Sequence, residues 1–395
     1  MMKTERLYYT DCYLREFEAS VLKVEPDSQG FRVYLDQTAF YPESGGQPMD
    51  SGTLGGIPVR GLLEEGDAIA HFLVRAPQGE RVQGKIDWPR RFDHMQQHTG
   101  QHALSAAFEK TRNYKTVSFH LGAAASSIDL DSDRLGQRQI EEAENLANEV
   151  VFENREVRIF FRPEAEASQL DLRKPTGRQG DVRLVEIDGF DLSACGGTHV
   201  SRTGAIGLIV VRKVERMKGE TRVEFVCGGR ALRASRQDYQ VLSEASKLLS
   251  ASSNQLPTLI TKQLEEVRTA NRAREKLWER MAKIQARDLW QSAPEKNGGK
   301  IVRHIFDADE HFEGIRVAHE IASHPFAIAL IGVKGKATFL YFSQSPGGVA
   351  DMRAILEQAV AKFGGKGGGA RDFAQGGGIE ESLLEEALAY AETLL

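Results

Sequence analysis

Cysteine is scarce in this chain. Three residues in 395, at positions 12, 195 and 227, are too few for a disulfide framework and point to a reducing compartment, with the cytoplasm the expected location. Long apolar runs are missing as well. None approaches the roughly 18 residues of a membrane span, and the opening Met-Met-Lys-Thr-Glu-Arg leads into no apolar signal segment. There is no cationic surplus: 51 Lys and Arg face 56 Asp and Glu, for a formal net charge of −5. That balance argues against indiscriminate nucleic-acid binding, and an RNA partner has to be met by local basic patches. No internal repeat of 20–50 residues is visible. What remains is an ordinary globular composition, 41% apolar, long enough for two to four domains with cores of their own.

Four regions are expected. Residues 1–90 read as a small β-rich, barrel-like domain, with short runs at Ser20–Lys23, Gly30–Leu35, Ala68–Leu73 and Gly79–Ile86 between Gly, Pro and Asp turns. At Arg90 the apolar period becomes helical, with Phe92, Met95, Leu104, Ala107 and Phe108 on one side. Residues 91–230 then alternate helix and strand as an α+β domain. Residues 231–295 are rich in Ala, Leu, Glu, Lys and Arg. Ile260, Leu264, Val267, Asn271, Arg274, Trp278, Met281 and Gln285 follow a 4-3 spacing, which suits either helices packed on their own domain or a helical hairpin that pairs two chains through 258–290. Ser292–Lys300 reads as a linker. Residues 296–395 are expected to be α/β, with strands at Phe326–Gly332 and Thr338–Ser343, a helix over Val349–Phe363, a glycine-rich loop over 364–378 and a closing acidic helix.

Chemistry concentrates in two places. His94, His98 and His102 are four apart, so on a helix each lies about 40° from the last, on one stripe. About a hundred residues on, Ser-Ala-Cys-Gly-Gly-Thr-His-Val sets Cys195 and His199 three residues apart, across a double glycine that lets the backbone turn. His98, His102, Cys195 and His199 together form a nitrogen and sulfur set suited to one tetrahedral zinc per chain. An HExxH protease is not expected, because Thr99 stands where its glutamate belongs, and the signature of the zinc nucleobase deaminases is missing.

His-Thr-Gly-Gln-His at 98–102, with Cys-Gly-Gly-Thr-His at 195–199, resembles the editing domain of alanyl-tRNA synthetases. AFYPESGGQPMDSG (39–52), VRLVEIDGFDLSACGGTHVSRTGAIG (182–207) and GGKGGGARDFAQGGG (364–378) are similar to further segments of that family, the last to its C-terminal DHHA-type domain. About 90 residues precede the editing helix, too few for an aminoacylation domain, so the chain looks like a free-standing, trans-acting editing protein of the long type. The resemblance implies hydrolysis of Ser-tRNA(Ala), and of Gly-tRNA(Ala). Binding alone discriminates a hydroxyl in such a pocket only about 10²-fold, so a second, hydrolytic sieve is needed. It also implies that Thr116 or Ser118, on a strand facing the zinc, reads the seryl hydroxyl. Glu43, Gly45, Gly46 and Gln47 are placed beside the acceptor end, and the C-terminal domain contacts tRNA and helps dimerisation. A threonyl-tRNA editing domain and a non-catalytic zinc-containing tRNA-binding module are the alternatives. His94 has three readings: a base near the zinc, a substitute ligand or a surface histidine.

Two basic stretches suit RNA. Arg202, Arg212, Lys213, Arg216, Lys218 and Arg222 are offset only by Glu215 and Glu220, and Arg173, Lys174, Arg178 and Arg183 extend the same reading. In the glycine-rich loop, Lys366 and Arg371 accompany eight glycines, a pattern that suits a backbone nest for phosphate.

Overall fold

A computed structural model describes residues 2–174, 180–296, 298–307, 311–335 and 337–395; of residues 311–313 it describes the backbone alone. Arg178 lies outside these residues. The chain forms two compact units, Met1–Ala245 and Ser246–Leu395.

The first unit opens with a closed barrel of six strands, Glu16–Asp27, Gly30–Leu35, Ala68–Leu73, Ile57–Glu65, Gly52–Leu54 and Arg81–Ile86 in spatial order. Alternation sends Phe17, Val33, Leu35, Leu54, Ile69, Leu73 and Val82 inside. His71 is fully buried among them, bonded to Thr38 and to the Val33 carbonyl.

Helix α1 (Trp88–Arg112) leaves the barrel at once. Asp87 caps it, Pro89 suits its first turn, and Asn113 at φ 58° closes it in the left-handed region. Arg91 ties the helix to the barrel: fully buried, it pairs with Asp50 and donates to the carbonyls of Cys12 and Ala39. α1 and α2 (Gln137–Phe152) pack on an antiparallel sheet ordered Ile209–Arg216, Thr221–Cys227, Ser126–Leu130 and Thr116–Leu121. Met95, Leu104, Phe108, Ile128 and Phe225 are buried between helices and sheet. A separate three-stranded sheet, Val157–Pro163, Asp181–Ile187 and Asp191–Ala194, holds the short α3 (Glu164–Ala167) beside its first strand. α4 (Gly228–Leu248) follows the last strand directly.

In the second unit α5 (Leu256–Ser292) is a single helix of 37 residues. Ala282 and Ala286 are buried, whereas the heptad positions Ile260, Leu264, Val267 and Met281 are all exposed. A six-stranded sheet follows, in the order Glu295–Lys296, Gly299–Phe306, Ala327–Val333, Phe339–Gln344, Phe373–Gly377 and Lys366–Gly369. α6 (His311–Ala322) bridges its one parallel pair and packs with α5 against one face. α7 (Met352–Phe363) and α8 (Leu384–Thr393) cover the other.

Two expectations are corrected here. The linker Ser292–Lys300 is the end of α5 followed by a strand pair, Glu295–Lys296 with Lys300–Gly299, and Gly299–Phe306 continues as an interior strand. The glycine-rich segment 364–378 is not an open loop between two helices. Lys366–Gly369 and Phe373–Gly377 pair antiparallel, so much of their backbone is committed to the ladder rather than to a phosphate nest. At Gly367 the missing side chain has a packing reason: a Cβ there would meet Leu356 of α7 at 2.8 Å.

Candidate metal centre

His98 and His102 face one point from successive turns of α1, and the chain returns to that point after strand Asp191–Ala194. Cys195 Sγ is 3.4 Å from His98 Nε2 and 3.3 Å from His199 Nε2. The ligand atoms of His98, His102, Cys195 and His199 all lie within 4.8 Å of one another. Tetrahedral zinc bonds of about 2.0–2.3 Å place nitrogen and sulfur ligands roughly 3.5 Å apart, so the quartet fits that ion.

The orientation of each imidazole is set from behind. His98 Nδ1 meets Gln47 Oε1 at 2.8 Å, His102 Nδ1 meets Asp191 Oδ2 at 2.9 Å, and His199 Nδ1 meets Thr99 Oγ1 at 3.1 Å. With every Nδ1 engaged, every Nε2 is left for a metal. Gln47 also accepts from the Thr198 N–H and donates to Thr198 Oγ1, and Asp191 is gripped by Arg173 at 2.6 Å.

Charge follows geometry. Burial works against ionisation of Cys195, yet His98 and His199 hold its thiol well below the usual range. Burial pushes His199 down to about 3; it also works against a charge on His102, but Asp191 and Cys195 together outweigh it and raise that ring to about 8. Against burial, His102 and Arg173 bring Asp191 down to about 2.

The glycines do two different jobs. Gly45 and Gly46, at φ 56° and 83°, form the tight turn in which Ser44 and Gln47 exchange both backbone hydrogen bonds. Gly197 is not in the left-handed region, so the sharp turn expected of the double glycine is not why it is glycine. A Cβ there would stand 2.2 Å from His98 Cε1. The residue is small to make room for a ligand.

Other sequence candidates are placed as follows. Thr116 is half-buried and donates to Ser105 of α1 at 2.7 Å. Phe119 stacks on His98. Ser118, its neighbour on the strand, donates to Asp129 at 2.5 Å, which in turn holds Arg222. That hydroxyl is taken up by an ion pair of the sheet. Glu43 is exposed, whereas Gln47 is fully buried behind His98. His94 is 3% exposed and no surface histidine, and its Nδ1 has no partner among the described residues.

Among the basic residues, Arg212 pairs with Asp238, Lys213 with Glu215 and Arg222 with Asp129, while Arg202, Arg216 and Lys218 are exposed. Two cations read from sequence as RNA contacts belong to the interior instead. Arg183 is buried and donates to the Tyr9 and Cys195 carbonyls, and Arg173 braces Asp191; Lys174 lies beside it. Lys366 and Arg371 are exposed in the second unit, and Arg371 donates to the Val349 carbonyl. Asp191, Thr99 and Arg173 are the functional residues that sequence reasoning missed in this role. The polar stretch Asp191–Cys195 held the one available signal, an acid four residues before the thiol.

The family model described as the threonyl and alanyl tRNA synthetase second additional domain matches residues 182–224, and the DHHA1 domain matches 316–395. Alanyl-tRNA editing protein Aarsd1 of Danio rerio is 31% identical over 377 residues, 91% of this chain and 91% of that one. Alanyl-tRNA editing protein AlaX-L of Pyrococcus horikoshii is 32% identical over 393 residues, covering 94% of each. Against the alanine–tRNA ligase of Pyrococcus abyssi, identity is 32% over 415 residues, all of this chain but 44% of the ligase. The chain thus spans less than half the length of that ligase. A solved C-Ala domain from Aquifex aeolicus alanyl-tRNA synthetase covers 26% of the chain at 20% identity and a TM-score of 0.24, which carries no argument about fold.

Proposed function

The chain belongs to the alanyl-tRNA editing protein family, and from that premise we propose that it deacylates mischarged tRNA(Ala) in trans, cleaving the ester of serine and, second, of glycine. The observation that carries the reading is the quartet His98, His102, Cys195 and His199 with all three Nδ1 atoms already engaged. One zinc per chain, held by that quartet, would supply a positive charge to orient the amine or polarise the ester. The protein's own residues do the rest. Gln47, Asp191 and Thr99 fix the imidazoles, and the Gly45–Gly46 turn brings the backbone against the strand Thr116–Leu121, where the Leu121 N–H donates to the Gly46 carbonyl. Of the two hydroxyls proposed to read serine we choose Thr116, whose partner Ser105 belongs to the same helix as the ligands; Ser118 is engaged with Asp129.

In this reading residues 1–90 carry the glycine turn, 91–230 the hydrolytic site, 231–295 the helical spacer and 296–395 the tRNA-binding part. Arg202, Arg216, Lys218, Lys366 and Arg371 meet phosphates, and the exposed apolar positions of α5 within 258–290 pair two chains. Among the described residues no helix is long and apolar enough to cross a membrane.

Purified protein is to be incubated with seryl-, glycyl- and alanyl-tRNA(Ala) and with seryl-tRNA(Thr), with and without a chelator. The expected result is fast, chelator-sensitive release of serine and slow release of alanine. Hydrolysis confined to seryl-tRNA(Thr) would favour the threonyl alternative named by the family model, and no hydrolysis of any substrate would leave a binding module. Thr116→Val should narrow the serine-over-alanine preference. A preference that stays at the wild-type ratio would place the hydroxyl reader elsewhere.

A further inference from the structure

A cavity of about 810 Å³ lies in the first unit and is lined by Arg90, Asp93, His94, Gly229, Arg230 and Arg233 among others. Two helices begin there. Pro89 and Arg90 belong to the first turn of α1, Gly229 and Arg230 to the first turn of α4. In α4 the Gly228 N–H is taken by the Leu208 carbonyl and the Gly229 N–H by Gln96, and the Arg230 N–H precedes the first i to i−4 bond of the helix. Leading N–H groups and the helix dipole favour an anion.

The side chains repeat the preference. Asp93 is the one carboxylate of the lining and is spent on Arg230, which holds it through Nε and Nη2. Arg230 also donates to the Gly122 carbonyl, so it is a fixed wall. The Arg90 side chain makes no ion pair among the described residues and donates only to the Met49 carbonyl. Arg233 reaches no closer than 3.8 Å to Asp93, with its side chain 72% exposed. Two cations therefore remain for a ligand.

His94 completes the set. Its ring is almost wholly enclosed, it lines the cavity, and its Nδ1 has no hydrogen-bond partner among the described residues. That nitrogen is itself enclosed, so a ligand group meets it only once the ring turns toward the cavity; a buried polar atom left unpaired costs about 1–3 kcal/mol, which favours the turn. Burial, and then Arg90, depress this imidazole to about 4. At neutral pH the ring is uncharged and suits a hydroxyl better than a phosphate.

We infer that this cavity seats a phosphodiester of the tRNA acceptor strand, the phosphate on Arg90, Arg233 and the start of α4, with a ribose hydroxyl against His94. The inference rests on the editing reading, because it takes its direction from the metal quartet. His94 stands one turn, about 6 Å along α1, before His98, and on the same stripe. A backbone held at Arg90 and Arg233 therefore runs toward the place where the ester must lie. The site supplies what a zinc centre of three histidines and one cysteine lacks, a means of telling a nucleotide ester from any other ester.

The test uses the full chain and two esters of serine, seryl-tRNA(Ala) and 3′-O-seryl-adenosine, which keeps the ribose and base but has no phosphate. Arg90→Ala and Arg233→Ala should each lower kcat/KM on the tRNA about tenfold, through KM, and leave seryl-adenosine within twofold of wild type. Each should also flatten the log–log salt dependence of tRNA binding by about 0.7. Arg90→Lys should recover most of the loss. Equal losses on both esters, or none on the tRNA, would overturn the assignment. So would inhibition by AMP or inorganic phosphate that vanishes in the variants while their tRNA kinetics stay unchanged, since that marks a free-phosphate site. If the wild type cleaves neither ester, the editing reading has failed. Binding of uncharged tRNA then still decides the cavity: an affinity and salt slope unaltered by Arg90→Ala would refute it.

Discussion

Asp191 carries two burdens with one carboxylate, accepting from His102 through Oδ2 and from Arg173 through Oδ1. Its removal frees the His102 ring to rotate, and loss of such a partner typically weakens metal binding about 10–100-fold. Asp191→Ala should therefore keep the zinc quartet in sequence yet lose zinc to a competing chelator at that much lower chelator concentration; an unchanged competition curve would free Asp191 from this role. Gly197→Ala tests space rather than charge, since its new Cβ would need His98 to move. Zinc per chain should drop in Gly197→Ala as it does in Cys195→Ala, and a full complement in either would remove that residue from the centre. The quartet was legible in the sequence because its members keep helical and short-turn spacings, His-x3-His and Cys-x3-His. Gln47 and Asp191 in their holding roles were not. They come from a barrel turn and a strand with no fixed distance to the ligands, and only the folded chain brings them behind the rings. The same limit misread Arg173 and Arg183, whose charge looked like an RNA contact until burial set them beside Asp191 and Cys195.

At the level of elements, one ion pair fixes the attitude of α1. Arg91 and Asp50 are both buried, and breaking such a pair by removing one partner typically costs about 3–5 kcal/mol because a charge is left without an answer. Asp50→Ala should lower urea stability by that order and loosen zinc as the helix shifts; a loss under 1 kcal/mol would mean water reaches Arg91. The barrel has its own signature in His71. Burial depresses this ring to about 4, against the ordinary 6.5 of an unfolded chain. The stability that its neutral form contributes is complete above pH 6.5. It falls as the pH drops toward 4, where the unfolded state binds a proton that the folded state refuses, by roughly 3 kcal/mol in all. His71→Gln should start less stable at pH 7 and lose less between pH 6.5 and 4, so parallel curves for the two proteins would rule the histidine out. Element types were easier to foresee than their company. The alternating barrel runs and the periodic α1 announced themselves. The glycine-rich hairpin at Lys366–Gly377 did not, because residues chosen for how closely α7 must approach look, in sequence, like residues chosen for flexibility.

Over the whole molecule, the metal ligands and their holders all fall within Met1–Ala245, and the DHHA1 match falls within Ser246–Leu395. A fragment of residues 1–245 should load zinc and hydrolyse seryl-tRNA(Ala) at saturating substrate, with a KM raised at least severalfold. A fragment that binds tRNA as tightly as the full chain would deny the second unit any part in recognition. If the exposed stripe of α5 pairs two chains, the fragment should sediment as a monomer and the full chain as a dimer. The first unit is also ordered in time. Its barrel is complete once Ile86 has been made, but the Gln47 it offers faces a histidine still to come, and that histidine waits for Cys195 and His199 a further hundred residues along. At about 5–20 residues per second, a ribosome takes roughly 5–20 s to cross that interval. Throughout it the nascent chain carries half a coordination sphere, able to catch a metal ion and unable to keep it. If the quartet takes its ion during synthesis, the choice of ion is therefore settled late, once residue 199 has cleared the tunnel.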